Sequence, residues 1–339
     1  MKKQRFDERD TIFSRLRLIP GTDRYDEYYR LYPDLKNIDD SLRESASKHD
    51  DTKFRNCAGD GPVSLEYVTK TAMDNAERLH KQAKETEVSE KQMVMTPAEM
   101  SRTIKNAAKG YGADLVGIAA LKDCHHYSYS AGKSTSSKKY GEKIVRHHAF
   151  AIVFACSLDK DMVDTAPFKD AEVASIMGYA LSSSIAAQLV ICSKSLGYDA
   201  QTDTVIDYRS PLSPLAIEAG LGQYGRCNML VSPTHGNRLK LAAVLTDMPL
   251  LADGPIDFGL TDICRVCHIC ASKCPAKAIS FDDPEIIDGS PVWPFSDTRC
   301  MDMWIRCGTD CGICMSVCPF SRSLLRGSNS NTCVTISEK

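Results

Sequence analysis

Nine of the chain's fifteen cysteines fall between residues 264 and 318, and their spacing restricts what that segment can fold around. "CRVCHICASKCP" sets Cys264, Cys267, Cys270 and Cys274 at C-x2-C-x2-C-x3-C and follows the last with Pro275. Three thiolates this close hold one iron–sulfur cluster from a single loop, while the fourth, just before proline, points toward a second. The later run, "CMDMWIRCGTDCGICMSVCP", places Cys311, Cys314 and Cys318 before Pro319, but Gly308 stands where a further cysteine would complete the repeat. Cys300 and Cys307 compete for that role. Cys307 is only four residues from Cys311, whereas Cys300 lies far enough upstream to reach round a loop. Crossed ligation assigns Cys264, Cys267, Cys270 and Cys318 to one 4Fe-4S cluster and Cys274, Cys300, Cys311 and Cys314 to the other. Zinc also uses C-x2-C pairs, but it requires neither eight cysteines so spaced nor a proline after each run.

The other cysteines, Cys57, Cys124, Cys156, Cys192, Cys227, Cys307 and Cys333, read mostly as small apolar core residues. A secreted disulfide scaffold is excluded by length, by the odd count and by the start of the chain, which shows neither an apolar export segment nor an Arg-Arg pair. The expected location is the cytoplasm. Forty-two basic against forty-four acidic residues leave a net charge of -2, so no global field draws nucleic acid or an anionic membrane. No unbroken apolar run of spanning length is present, and no intrinsic membrane segment is expected.

Residues 1–95 are polar, with a tyrosine knot at Tyr25, Tyr28, Tyr29 and Tyr32 and a helix near 64–83, and read as an arm wrapping the main body. Residues 96–255 read as an α/β domain. "TPAEM" opens a helix through a Thr96–Glu99 capping box, "DLVGIAAL" and "AFAIVFACSL" are strands covered on both faces, and a long helix occupies about 169–196. "NMLVSPTHGNRLKLAAVLTDMPL" predicts two strands around a turn at His235, Gly236 and Asn237. Residues 256–326 form the cysteine module, and 327–339 a tail. The pairs His125/His126 and His147/His148 are placed in loops or on the surface, because adjacent residues of a strand point opposite ways and make a poor bidentate site. The Lys-rich "KSTSSKKYGEK" reads as a solvated loop.

"EAGLGQYGRCN" carries Gly220, Gly222 and Gly225 as G-x-G-x-x-G. A dinucleotide site needs a strand before these glycines and a helix after them. Here the helical "SPLAIEA" precedes and the strand-like "NMLVS" follows, so the motif closes a helix instead.

With "SPLSPLAIEAGLGQYGRCNMLVSPTHGNRLKLAAVLTDMPL" joined to the two cysteine runs, the chain resembles the corrinoid-dependent reductive dehalogenases over about residues 96–326, most specifically from 211 onward. The resemblance supports Cys300 over Cys307. It implies a nitroreductase-like cobalamin-binding α+β or α/β domain beside a bacterial ferredoxin-like module with two 4Fe-4S clusters. The cobalamin would be base-off, with Gly220, Gly222, Gly225, Asn228 and His235 at its edge and His235 as a turn or tail contact. The implied reaction replaces halogen by hydrogen in an organohalide, using an external low-potential donor of the ferredoxin or flavodoxin type. Tyr179 in "IMGYALS" would give the proton, Arg226 in "GQYGRCN" would support the tyrosinate, and Asp199 is a weaker polar candidate. The alternatives are an enzyme similar to epoxyqueuosine reductase, acting on tRNA with an acid near Asp207, and an electron-carrying or corrinoid-binding accessory protein.

Overall fold

The computed structural model describes residues 5–48, 65–132, 138–287 and 290–322. Cys57, Cys333, part of the Lys-rich loop and the tail assigned to 327–339 lie outside the described residues.

The centre is a four-stranded sheet of β1 (Leu115–Ala120), β2 (Phe150–Ser157), β3 (Ala200–Asp203) and β6 (Leu239–Thr246), in the order β1-β2-β6-β3. Alternate residues face two separate cores. Ile118, Ile152, Phe154, Ala242 and Val244 pack on Met100, Ile104, Ile185 and Leu189 of two helices, Pro97–Gly110 and Lys169–Ser195. On the other face Ala119, Ala151, Val153 and Leu245 meet Leu212, Leu215 and Ala216 of a short helix, Leu212–Glu218. Burial on both faces is why the strands read as continuous apolar runs. Every pair in the sheet is nevertheless antiparallel. The α/β alternation expected from the sequence is therefore an α+β arrangement, because long loops return each strand beside an opposed neighbour.

The Thr96–Glu99 capping box forms as expected: Glu99 N–H donates to Thr96 Oγ1 at 3.3 Å and Thr96 N–H to Glu99 Oε2 at 3.0 Å. The predicted turn at His235 and Gly236 forms too, closed by an antiparallel bridge between Ser232 and Gly236, but the two strands beside it do not pair with each other. Short strand β5 (Leu230–Val231) pairs with β4 (Gln223–Tyr224), while β6 pairs with β2 and β3. A second turn lies at Gly225–Asn228. Asn228 takes φ of 58°, and its N–H donates to Gly225 O at 2.9 Å.

Lys169–Ser195 is long and apolar enough over 18 residues to cross a membrane by length and composition, although its apolar residues are interrupted by serines, a glycine and a glutamine. Here it is the core helix, packed between the sheet and a second helix, Leu65–Glu85. The N-terminal tyrosines Tyr25, Tyr28 and Tyr29 are buried edge-to-face, and Arg15 donates to Asp39 at 2.9 and 3.2 Å beneath them. The helix Pro33–Lys48 lies against the helix Asp297–Cys307 of the cysteine module.

Candidate active site

The cysteine module is built from short helices broken by left-handed residues: Gly259 and His268 flank Leu260–Cys267, Gly312 precedes Ile313–Ser316, and Cys311 itself has φ of 57°. Such breaks turn successive thiols inward from one loop. Cys264, Cys267, Cys270, Cys314 and Cys318 line one narrow cavity together with Cys227. Cys314 is an electrostatic neighbour of Cys274 and Cys300, and Cys311 of Cys314. Cys314 is also a neighbour of Cys227, so it stands between the two groups of thiols that crossed ligation would separate. Cys307 is also close: it is buried beside Cys311, and its Sγ lies 3.4 Å from Thr309 O and 3.3 Å from Thr309 Oγ1.

Among the described residues no three His, Cys, Asp or Glu side chains converge as they would on a single ion. Thiols spread round a cavity suit a polynuclear cluster better than tetrahedral zinc. Burial pushes the Cys264 thiol up to about 12 and those of Cys300 and Cys318 up to about 11. Iron and sulfide would therefore have to displace protons as the clusters assemble.

The structure separates the two residues proposed as a catalytic pair. Arg226 is buried at 1% exposure with its guanidinium over Trp293, 4.3 Å from the ring centre. Its Nε donates to Cys264 O at 2.9 Å, its Nη1 to Ser280 O and Asp282 O at 2.8 Å each, and its Nη2 to Arg265 O at 3.4 Å. Committed to four main-chain carbonyls, it clamps the β4–β5 turn onto the cluster loop and cannot serve Tyr179. Neither does it pair with Glu218 or Asp207, which bind Lys122 and Arg209.

The base beside Tyr179 is Lys240, whose Nζ lies 4.0 Å from the centre of the Tyr179 ring. Lys240 opens β6, and Gly178 permits the approach, since a Cβ there would lie 2.8 Å from Lys240 Cγ. The sequence signal was a lone lysine on a buried apolar strand, "RLKLAAV". Tyr208 is an electrostatic neighbour of Tyr179, of Tyr127 and of Asp203, and Tyr127 of Tyr224. Burial pushes the phenols of Tyr127, Tyr208 and Tyr224 upward, yet all four tyrosines and Lys240 keep accessible surface. Desolvated but reachable groups are what lines a cleft.

Asp203, at the end of β3 next to this group, is fully buried. Its Oδ1 accepts Arg209 N–H at 2.8 Å, its Oδ2 has no partner, and burial raises it to about 6. Asp199 lies elsewhere: Ala200 pairs with Thr246 whereas Lys240 pairs with Cys156 at the opposite end of β6, and Asp199 is bound to His148 Nε2 at 3.1 Å. Asp207 is buried in its ion pair with Arg209 at 3.1 Å. Of the four paired histidines, His125, His126 and His148 occupy loops but are buried, and only His147 is exposed; His126 Nδ1 lies 3.1 Å from Ser210 Oγ.

The glycine motif closes a helix, as read from the sequence, with Gly220 at φ of 77°. The reason for its glycines differs from the one expected. A Cβ at Gly222 would sit 2.2 Å from Val231 O and one at Gly225 2.7 Å from Val231 Cγ2, so the chain's own β5 fills that space. Asn228 stands exposed on the turn, and His235 Nδ1 lies 2.8 Å from Thr234 Oγ1.

A 4Fe-4S dicluster domain profile matches residues 263–321. The chain is similar to the tetrachloroethene reductive dehalogenase of Sulfurospirillum multivorans, 29% identical over 259 residues that cover 67% of this chain and 51% of that one. A solved catabolic reductive dehalogenase in complex with 3-bromo-4-hydroxybenzoic acid superposes with a TM-score of 0.70 and 22% identity, over 94% of this chain and 42% of its own. A second reductive dehalogenase structure, described as suggesting a mechanism for B12-dependent dehalogenation, gives a TM-score of 0.63 and 26% identity over 75% and 37% of the two chains. The chain spans about half the length of the first curated relatives it matches. In sequence, fold and dicluster module the chain is similar to the reductive dehalogenases.

Proposed function

We propose that the chain is an oxidoreductase that cleaves a carbon–halogen bond of an organohalide, consuming two electrons and one proton and releasing halide and the product with hydrogen in its place. The observation that carries this reading is the contact of Lys240 with Tyr179, beside Tyr208, in a domain that Arg226 clamps to a dicluster module.

Two 4Fe-4S clusters, held by Cys264, Cys267, Cys270 and Cys318 and by Cys274, Cys300, Cys311 and Cys314, would pass single electrons inward. An external low-potential donor would deliver them at the open cleft of about 790 Å³ beside Cys274, Lys277 and Arg299. A base-off cobalamin, seated on a nitroreductase-like platform, supplies when bound a reduced cobalt able to give electrons to the carbon–halogen bond. The flat faces of Tyr127, Tyr208 and Tyr224 suit a macrocycle and an apolar substrate, and the turn at Gly225–Asn228 and the loop at His235 would meet its edge.

Tyr179 Oη–H gives the proton to the carbon that loses halide. The phenolate left behind is offset by the Lys240 ammonium, a fixed charge in a desolvated site where it counts for more than in water. Burial of the tyrosines excludes water that would compete as proton source and screen that charge.

Anaerobic reconstitution with iron, sulfide and cobalamin tests the reading. About eight iron and one cobalt per chain, with the EPR signal of base-off Co(II) and halide release from an organohalide, are expected. A chain holding zinc in place of iron, or retaining no corrinoid, would overturn it.

A further inference from the structure

Cys227 belongs to the β4–β5 turn, not to either cysteine run, yet it is buried in the first cluster cavity and packs against Cys270. Its hydrogen bonds have a polarity fixed from a distance. Ser321 Oγ accepts the Asn237 main-chain N–H at 3.2 Å, so its own hydrogen is left for Asn237 Oδ1, 2.6 Å away. That bond orients the Asn237 amide, turning Nδ2 toward Cys227 Sγ, to which it donates at 3.2 Å. Cys227 Sγ is then an acceptor on that side, and its S–H points to its other sulfur partner, Cys270. The frame is rigid: a Cβ at Gly236 would lie 2.3 Å from Ser321 N and 2.6 Å from Phe320 C, so the 232–237 loop is pressed against the chain that follows Cys318. Ser321, Asn237 and Cys227 are all buried, and water does not compete.

We propose that Cys227 is a potential-setting residue, a ninth cysteine that binds no iron and donates an S–H hydrogen bond to the Cys270 ligand of the first cluster. A one-electron reduction adds negative charge to the ligand sulfurs, and a donor aimed at one of them favours the reduced form, which raises the midpoint potential. The donor reaches the cluster from the domain that carries Tyr179 and Lys240, so cluster potential and domain docking are linked. This inference rests on the two-cluster reading given above.

The test is an EPR-monitored redox titration of the reconstituted chain, with iron counted for each variant. If the bond favours reduction about tenfold, Cys227→Ala moves the midpoint of one cluster about 59 mV negative and leaves the other in place, at unchanged iron content. Cys227→Ser, which keeps an O–H donor and checks folding, stays closer to the parent, and Asn237→Ala, which frees the orientation, shifts the same cluster in the same direction. An unmoved midpoint in Cys227→Ala overturns the proposal, as does a fall to about four iron, which would make Cys227 a ligand. A parent chain that binds no clusters would remove the underlying reading as well, whereas intact clusters with unmoved potentials remove this inference alone.

Discussion

Lys240 Nζ stands 4.0 Å from the centre of the Tyr179 ring, although the two residues come from different elements, the long helix and the start of the inner strand β6. The contact gives the half-buried Tyr179 a cation that Arg226, engaged with four carbonyls, does not provide. Tyr179→Phe should therefore lower halide release by about 10²-fold or more, the usual worth of a positioned acid, with iron and cobalt contents unchanged. Lys240→Gln should lower the rate while leaving the Tyr179 hydroxyl in place. Undiminished turnover in Tyr179→Phe would remove Tyr179 as the donor.

Arg226 should act on stability and not on the proton. Arg226→Ala takes the donor from the part-buried carbonyls of Cys264, Ser280 and Asp282, at about 1–3 kcal/mol in total. Arg226→Lys should rescue little, because a point ammonium cannot reach carbonyls spread round a planar fork. Thermal unfolding and iron retention are the readouts; a variant as stable as the parent would contradict the clamp.

Asp203 makes stability fall as pH rises. Burial lifts it to about 6 against an ordinary 3.8, outweighing the hydrogen bonds that Arg209 and Ser210 give it. Below the unfolded value both states hold the proton and the group costs nothing. Between 3.8 and 6 the unfolded chain ionises first, and above 6 the full cost of about 3 kcal/mol is present. In urea titrations Asp203→Asn should gain about 3 kcal/mol at about pH 8 but only about 1 kcal/mol at about pH 4.5. An equal gain at both pH values would show that ionisation is not the cause.

Cys300 and Cys307 can be told apart by iron content. Cys300 is an electrostatic neighbour of Cys274, while the Cys307 thiol is hydrogen-bonded with Cys311 and engaged with Thr309. Cys300→Ala should drop the count from about eight iron to about four, and Cys307→Ala should keep about eight. The reverse pattern would transfer the ligand role to Cys307.

The capping box at Thr96, the two apolar strands and the long helix were legible because each is set by neighbours within a few residues. The strand pairing across the His235 turn was misread since "NMLV" and "LKLAAVLT" look alike as strands, and nothing local says that the first pairs backward with Gln223–Tyr224. Arg226 and Lys240 were exchanged in the same way. Both are basic residues in apolar surroundings, and only the register of β6 against the long helix brings Lys240 to Tyr179.

The sequence by itself determined the cluster module, because thiolate spacing along one loop is a local property that already encodes which sulfurs can share an iron–sulfur core. It also determined that the sheet would be covered on both faces, since uninterrupted apolar strands leave no face for water. Tertiary structure alone decided which basic side chain meets Tyr179, which way each strand runs, and that Cys227 from a distant turn reaches the first cluster. Those outcomes depend on contacts between segments tens of residues apart, and their energies come from burial and hydrogen-bond polarity that exist only once the chain has closed around them.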